Sequence, residues 1–350
     1  MAAALAACAL VLPAPAAAAD RDQVPDPPPV YYRSVTDTNG VLRLEVAARE
    51  LRAPGRRSAR VWLVGVIHLG EPTYYRRLQR FLDRQTVVLF EGVGAQDGHF
   101  ELQDNEFSLQ QRLAQALGLV FQLDAIDYQR PHFKNSDVTY RELAALFGGR
   151  PAGGPGAPTT APASGGGTNA PAEGQAEFNA LVQMMEGRGL FGGLARLGVK
   201  ALESSARLRA TTKLMMIEMF GSLPPNLADT AGMPAGMRRL MEKLIAARND
   251  VVVRDLRREL RRHRHPDTIA VFYGAGHMAD LEMKLRRELG LKPGRERWFT
   301  AMRLDPKAAG LTPFEVGMAR AMAQLQLRSL GAEPPGEPAT NPPPAEATQP

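Results

Sequence analysis

Three charge-free runs, Val61 to Ile67, Val87 to Phe90 and Ile269 to Tyr273, constrain this chain more than any other feature. Each is too short for a helix and rich in β-branched or aromatic residues, and unbroken apolarity of this kind marks a strand covered on both faces. Strands covered in that way belong to parallel sheets with helices on either side. After the first run, Pro72 falls at a first-turn position, and Tyr75, Leu78, Phe81 and Leu82 recur at helical spacing. That helix supplies the crossover that a parallel pair requires. The predicted fold class is therefore α/β, with a central mixed, partly parallel sheet flanked by helices.

The remaining elements follow from turn and cap signals. Alternating residues from Val41 to Val46 after Asn39-Gly40 predict an opening hairpin, and Trp298 to Met302 a last strand. Ser108 to Leu117 reads as a helix closed by Gly118, Asp137 to Phe147 as a short helix, and Thr312-Pro313-Phe314-Glu315 as a capping box opening a final helix. Segments 177–221 and 235–262 predict a largely helical middle. Its methionines, among them Met184, Met185, Met215, Met216 and Met219, read as helix core.

A chain of 350 residues has a prior of two domains, but three segments will not join a core. Residues 1–19 are apolar, 148–176 are dominated by Gly, Pro, Ala, Ser and Thr, and 332–350 by Pro, Ala, Glu and Thr. The predicted organisation is a signal peptide at 1–19, one domain over 20–331 carrying a flexible insertion at 148–176, and a disordered tail at 332–350. With 44% apolar and 23% charged residues, collagenous, coiled-coil and wholly disordered chains are excluded. The net charge is +6, and the densest basic run, Arg254 to His265, carries Asp255 and Glu259 at helical spacing and no aromatics. It reads as a solvated helix face, so no nucleic-acid partner is expected.

The N-terminal segment runs into Ala14-Pro15-Ala16-Ala17-Ala18-Ala19-Asp20, an apolar stretch followed by small residues at a cleavage site. Export is predicted, with a periplasmic or secreted product. Leu5-Ala6-Ala7-Cys8 also has the form of a bacterial lipoprotein box, which would attach the chain to a membrane through a lipidated Cys8. Cys8 is the single cysteine, so the processed chain has neither disulfide nor thiol nucleophile. Oligomeric state is not legible.

Two segments share one grammar: buried strand, Gly-x-x-His, helix. They are Gly65-Val66-Ile67-His68 and Gly274-Ala275-Gly276-His277. Each histidine falls near the carboxyl end of its strand, the edge where ligands collect in open α/β sheets. Glu91 takes the same place after Val87-Val88-Leu89-Phe90, and a carboxylate there is costly unless paired. The glycines read as close-approach or positive-φ positions. Two imidazoles and a carboxylate can hold a divalent ion, or can be a metal-free base with its orienting acid.

The run Val64-Gly65-Val66-Ile67-His68-Leu69-Gly70-Glu71-Pro72, continuing to Leu89-Phe90-Glu91-Gly92-Val93, resembles the TraB, GumN and Tiki group. So do Ala116 to Tyr128, and Ala247-Arg248-Asn249-Asp250 followed by Tyr273-Gly274-Ala275-Gly276-His277. The resemblance implies a fold like that of erythromycin esterase and ChaN-like proteins. In the Tiki branch it implies metal-dependent cleavage of peptide bonds with Mn, Co or Zn; in the erythromycin esterase branch, hydrolysis by a histidine base without obligatory metal. Carried over by position, His68, Glu91 and His277 would be metal ligands and catalytic residues, and Arg248 and Asn249 match the Arg-Asn pair that precedes the second motif. Physically, Arg248 could neutralise a carboxylate or stabilise a developing oxyanion to which Asn249 donates a hydrogen bond, or the two could be a helix salt bridge and a surface amide. Glu71, three residues after His68, would shuttle a proton or simply favour the helix that starts at Pro72; Asp124 and Asp127 are weaker candidates. Gly92-Val93-Gly94-Ala95 lacks a second acid beside Glu91. The expected partner is a peptide or small-molecule substrate. A non-catalytic protein that sequesters a peptide or haem, the latter through Tyr74 or Tyr75, is the alternative. His99, His132, His263 and His265 match no motif and are expected to face solvent.

Overall fold

The computed structural model describes residues 28–52, 59–93, 114–146, 200–226, 235–262 and 267–329. The predicted signal peptide, the 148–176 insertion and the 332–350 tail lie outside the described residues, as do Met184, Met185, His99, His263, His265 and the first part of the Ser108–Leu117 helix.

The described residues form a mixed sheet of seven strands: β1 (Tyr32–Thr36), β2 (Leu42–Arg52), β3 (Arg60–Val66), β5 (Val87–Phe90), β7 (Phe133–Asn135), β8 (Thr268–Gly274) and β9 (Lys292–Leu304). A two-residue pair, β4 (Leu69–Gly70) and β6 (Val120–Phe121), stands beside it. The three charge-free runs become β3, β5 and β8, and they lie side by side in parallel with β8 central. Helix α1 (Pro72–Leu82) connects β3 to β5, so this crossover skips one strand and leaves room for β8 to insert. β7 extends the parallel group beyond β5. It was not legible: Phe133-Lys134-Asn135 is too short and too polar to signal a strand. On the other side the sheet turns antiparallel. β9 runs beside most of β2, longer than the predicted Trp298–Met302, while β1 and β3 pair with successive halves of β2.

Local chemistry explains these elements. In the β1–β2 hairpin, an Asp37 carboxylate oxygen accepts the Asn39 and Val41 amides, and Gly40 takes φ +81°. Pro72 opens α1, whose Tyr74, Tyr75, Leu78, Phe81 and Leu82 are all buried; Phe81 meets Trp62 edge-on at 5.2 Å. Gly118 (φ +67°) ends its helix as expected. Behind β1, β2 and β9, α4 (Ala206–Gly221) and α7 (Pro313–Ser329) build a second apolar cluster around Leu42, Leu44, Leu214, Ile217 and Met302. Met215 and Met216 pack against it, in keeping with their reading as helix core. Three further helices complete the frame: α3 (Tyr140–Leu146), α5 (Ala235–Leu260) and α6 (Ala275–Leu289). Short α2 (Gln122–Ala125) follows β6. No described helix is long and apolar enough to cross a membrane.

Candidate functional site

Four parallel strands deliver four side chains to one edge of the sheet. In the strand order β3, β8, β5, β7, the residues that follow are His68, His277, Glu91 and Asp137. Helix α5 lays Arg248 across three of them. Its buried stripe runs Leu240, Leu244, Arg248, Val251, so the guanidinium occupies a core position and must find partners there.

It finds three, Asp137, Glu91 and His277. Nε donates to Asp137 Oδ1 at 2.9 Å, and one terminal nitrogen donates to Asp137 Oδ2 and Glu91 Oε1, both at 2.6 Å. The other terminal nitrogen lies 3.3 Å from His277 Nε2. Burial disfavours the Arg248 charge, but Glu91 and Asp137 outweigh it and raise its pKa above the ordinary arginine value. Glu91 Oε2 accepts the Gly274 amide at 2.6 Å, at the positive end of α6. Burial pushes the Glu91 carboxyl up, but the charges of Arg248, His277 and His68 and the Gly274 amide pull it down to about 2. A Cβ at Gly274 would stand 3.2 Å from that oxygen, so the glycine permits close approach of the carboxylate. Gly65 is also a close-approach position, a Cβ there lying 3.1 Å from Val46 Cγ1. Neither has positive φ.

His277 sits in the first turn of α6, not in the loop after its strand. Its Nδ1 is 3.1 Å from Asn249 Oδ1, and the Asn249 amide nitrogen donates to Asp280 at 2.8 Å. That orientation makes Nδ1 the protonated nitrogen and Nε2 the acceptor of the Arg248 proton. Burial and the Arg248 charge depress the His277 pKa to about 4. His68 is different. It is exposed at residue level, its Nδ1 meets Gln122 Oε1 at 3.1 Å, and its Nε2 has no hydrogen-bond partner among the described residues.

Several expectations are corrected by these contacts. Asn249 is fully buried and both ends of its amide are occupied, so it positions His277 and cannot face an oxyanion. Of the two readings of Arg248, its contacts are those of carboxylate neutralisation: it is 7% exposed and spread over Glu91 and Asp137. Glu71 precedes α1 without capping it through its side chain, which turns instead to Lys213 (2.7 Å) and the Arg303 amide (2.8 Å). Asp127 is exposed and pairs with Arg130 at 3.2 Å, and Asp124 is exposed on α2. Tyr74 and Tyr75 are buried in the core, and the Tyr75 hydroxyl donates to Ile67 O, which removes both as haem ligands. His132 is half-buried, 3.3 Å from Leu82 O, and does not face solvent freely.

A divalent ion held by His68, Glu91 and His277 does not fit this arrangement. The guanidinium of Arg248 already stands where a cation would have to stand, against Glu91 Oε1 and His277 Nε2, which are 4.0 Å apart. Among the described residues, no three His, Cys, Asp or Glu side chains are grouped to hold a metal. Asp137 and Gln122 were missed by sequence reasoning. The sequence reading starts a helix at Asp137, but the helix begins at Tyr140 behind the Thr139–Glu142 capping box, which leaves Asp137 for Arg248. A concavity of about 550 Å³ lined by residues including Gln115, Arg209 and Lys213 contains none of the candidates except through the Lys213 contact to Glu71. No family model, curated protein or solved structure matches the chain.

Proposed function

We propose that the chain is an exported hydrolase of the TraB, GumN and Tiki kind, acting on an amide or ester carbonyl with His68 as general base and without a resident metal. The observation that carries the reading is His68 at the carboxyl edge of the parallel strands, an exposed residue whose Nε2 has no hydrogen-bond partner among the described residues. Imidazole is the side chain whose ordinary pKa suits proton transfer near neutral pH. In the proposed step Nε2 takes a proton from water as the oxygen attacks the carbonyl carbon, and later returns it to the leaving nitrogen or oxygen. Glu91, within electrostatic reach of His68, stabilises the imidazolium formed in between. Arg248, Asp137, Asn249 and His277 keep Glu91 charged and fixed. Export rests on the apolar N-terminal segment, and the fold kinship on the motif blocks.

The test is turnover of a panel of p-nitrophenyl esters and fluorogenic peptides by wild type and His68→Ala. The expected loss is about 100-fold or more, with circular dichroism unchanged. Equal rates in a folded variant would overturn the assignment.

A further inference from the structure

Both motif histidines present Nδ1 to a carboxamide oxygen, but among the described residues only His68 has no hydrogen-bond partner at its second nitrogen. Gln122 is buried although it opens the short helix α2, and it grips His68 twice. Its backbone amide donates to His68 O at 2.8 Å, and its Oε1 lies 3.1 Å from His68 Nδ1. Its own side-chain nitrogen donates to the Tyr128 hydroxyl at 2.8 Å. Tyr128 is fixed among rings, with Phe90, Phe133 and Phe272 at 5.0, 6.2 and 6.3 Å. Burial raises the Tyr128 pKa above the ordinary phenol value, so its hydroxyl stays protonated.

We infer that Gln122 is a positioning residue for His68: its Oε1 holds the ring proton on Nδ1 and leaves Nε2 as the basic nitrogen, while its side-chain nitrogen is engaged by the Tyr128 hydroxyl. The inference rests on the reading of His68 as the base. A neutral imidazole has one donor and one acceptor nitrogen. Were the amide turned round, its NH₂ would donate to Nδ1, the proton would move to Nε2, and Nε2 could no longer accept a proton from water. A carboxamide sets this tautomer without adding a second negative charge beside Glu91.

The experiment is two-bond ¹H–¹⁵N correlation NMR of the ¹⁵N-labelled full chain at a pH where its histidines are neutral, with the His68 signals identified by their loss in His68→Ala. Wild type should show His68 with the proton on Nδ1. Gln122→Leu and Gln122→Met, which remove the carboxamide oxygen, should move it towards the Nε2–H form, and Gln122→Glu, which keeps an acceptor, should retain Nδ1–H. If Gln122→Leu fails to fold, Gln122→Met and Gln122→Glu decide the matter. An Nε2–H tautomer in wild type, or a tautomer unmoved in a folded Gln122→Leu or Gln122→Met variant, would overturn the inference. A tautomer governed by Gln122 together with undiminished hydrolysis by His68→Ala supports the clamp and overturns the base assignment.

Discussion

Arg248 is a charge on a buried helix stripe, and its worth lies in what its removal would strand. Asp137 is 2% exposed and Glu91 half-buried, and both give carboxylate oxygens to the guanidinium. Taking away one partner of a buried ion cluster leaves uncompensated charge, which costs about 3–5 kcal/mol, far more than an exposed pair contributes. Arg248→Met, close in volume, should therefore destabilise the protein by that order in urea unfolding, and Arg248→Lys should recover only part because an ammonium cannot bridge both acids at once. A loss below about 1 kcal/mol in Arg248→Met would show that the cluster is not coupled as described. Gly274→Ala tests the same network from the backbone side. The added methyl would crowd Glu91 Oε2, so a modest loss of stability is expected, with displacement of that carboxylate visible in a crystal structure.

At the scale of elements, signals that depend on local sequence were readable and those that depend on assembly were not. Thr312 and Glu315 exchange hydrogen bonds as the capping box predicts, with Thr312 N to Glu315 Oε2 at 2.7 Å and Glu315 N to Thr312 Oγ1 at 3.3 Å. Thr312→Ala should cost about 1 kcal/mol and lower Tm accordingly in a thermal melt; no change would mean that α7 is held by its packing on α4 alone. The three apolar runs were legible as strands because burial on both faces leaves no room for charge. β7 was not, because its edge position relaxes that demand. The same logic divides the candidate site. His68, Glu91 and His277 follow strong strands and could be placed at one edge, whereas Asp137 follows the weak strand β7 and was hidden. Arg248 was legible by resemblance, and also, in retrospect, as the charge interrupting Leu240, Leu244 and Val251. The partners that decide roles, Asn249 to Asp280 and Gln122 to Tyr128, join distant or differently folded segments and have no sequence pattern of their own.

Across the whole molecule, the buried charges make stability depend on pH in a defined direction. His277 has a folded pKa of about 4 against an ordinary 6.5, so the unfolded chain binds more protons between those values. Its contribution is full above about pH 6.5 and is lost as pH falls towards 4. Glu91, about 2 against an ordinary 4.5, adds a second loss below pH 4.5. Denaturant unfolding of wild type should therefore weaken progressively on acidification, and His277→Gln should flatten the portion between pH 6.5 and about 4.5. A wild-type curve that rises on acidification through that window would contradict the neutral, Arg248-bonded histidine.

The sheet edge thus carries an exposed histidine, proposed above as the base, and beside it a buried charge network with Arg248 as the resident cation. Metal binding tests that claim most directly. Chelator-treated protein would be titrated with Mn²⁺, Co²⁺ and Zn²⁺ by calorimetry, with metal content of untreated protein read by mass spectrometry. The account predicts substoichiometric metal and no tight site. One equivalent of metal, lost in the His68→Ala/His277→Ala variant, would mean that Arg248 yields its place and that the histidines are ligands.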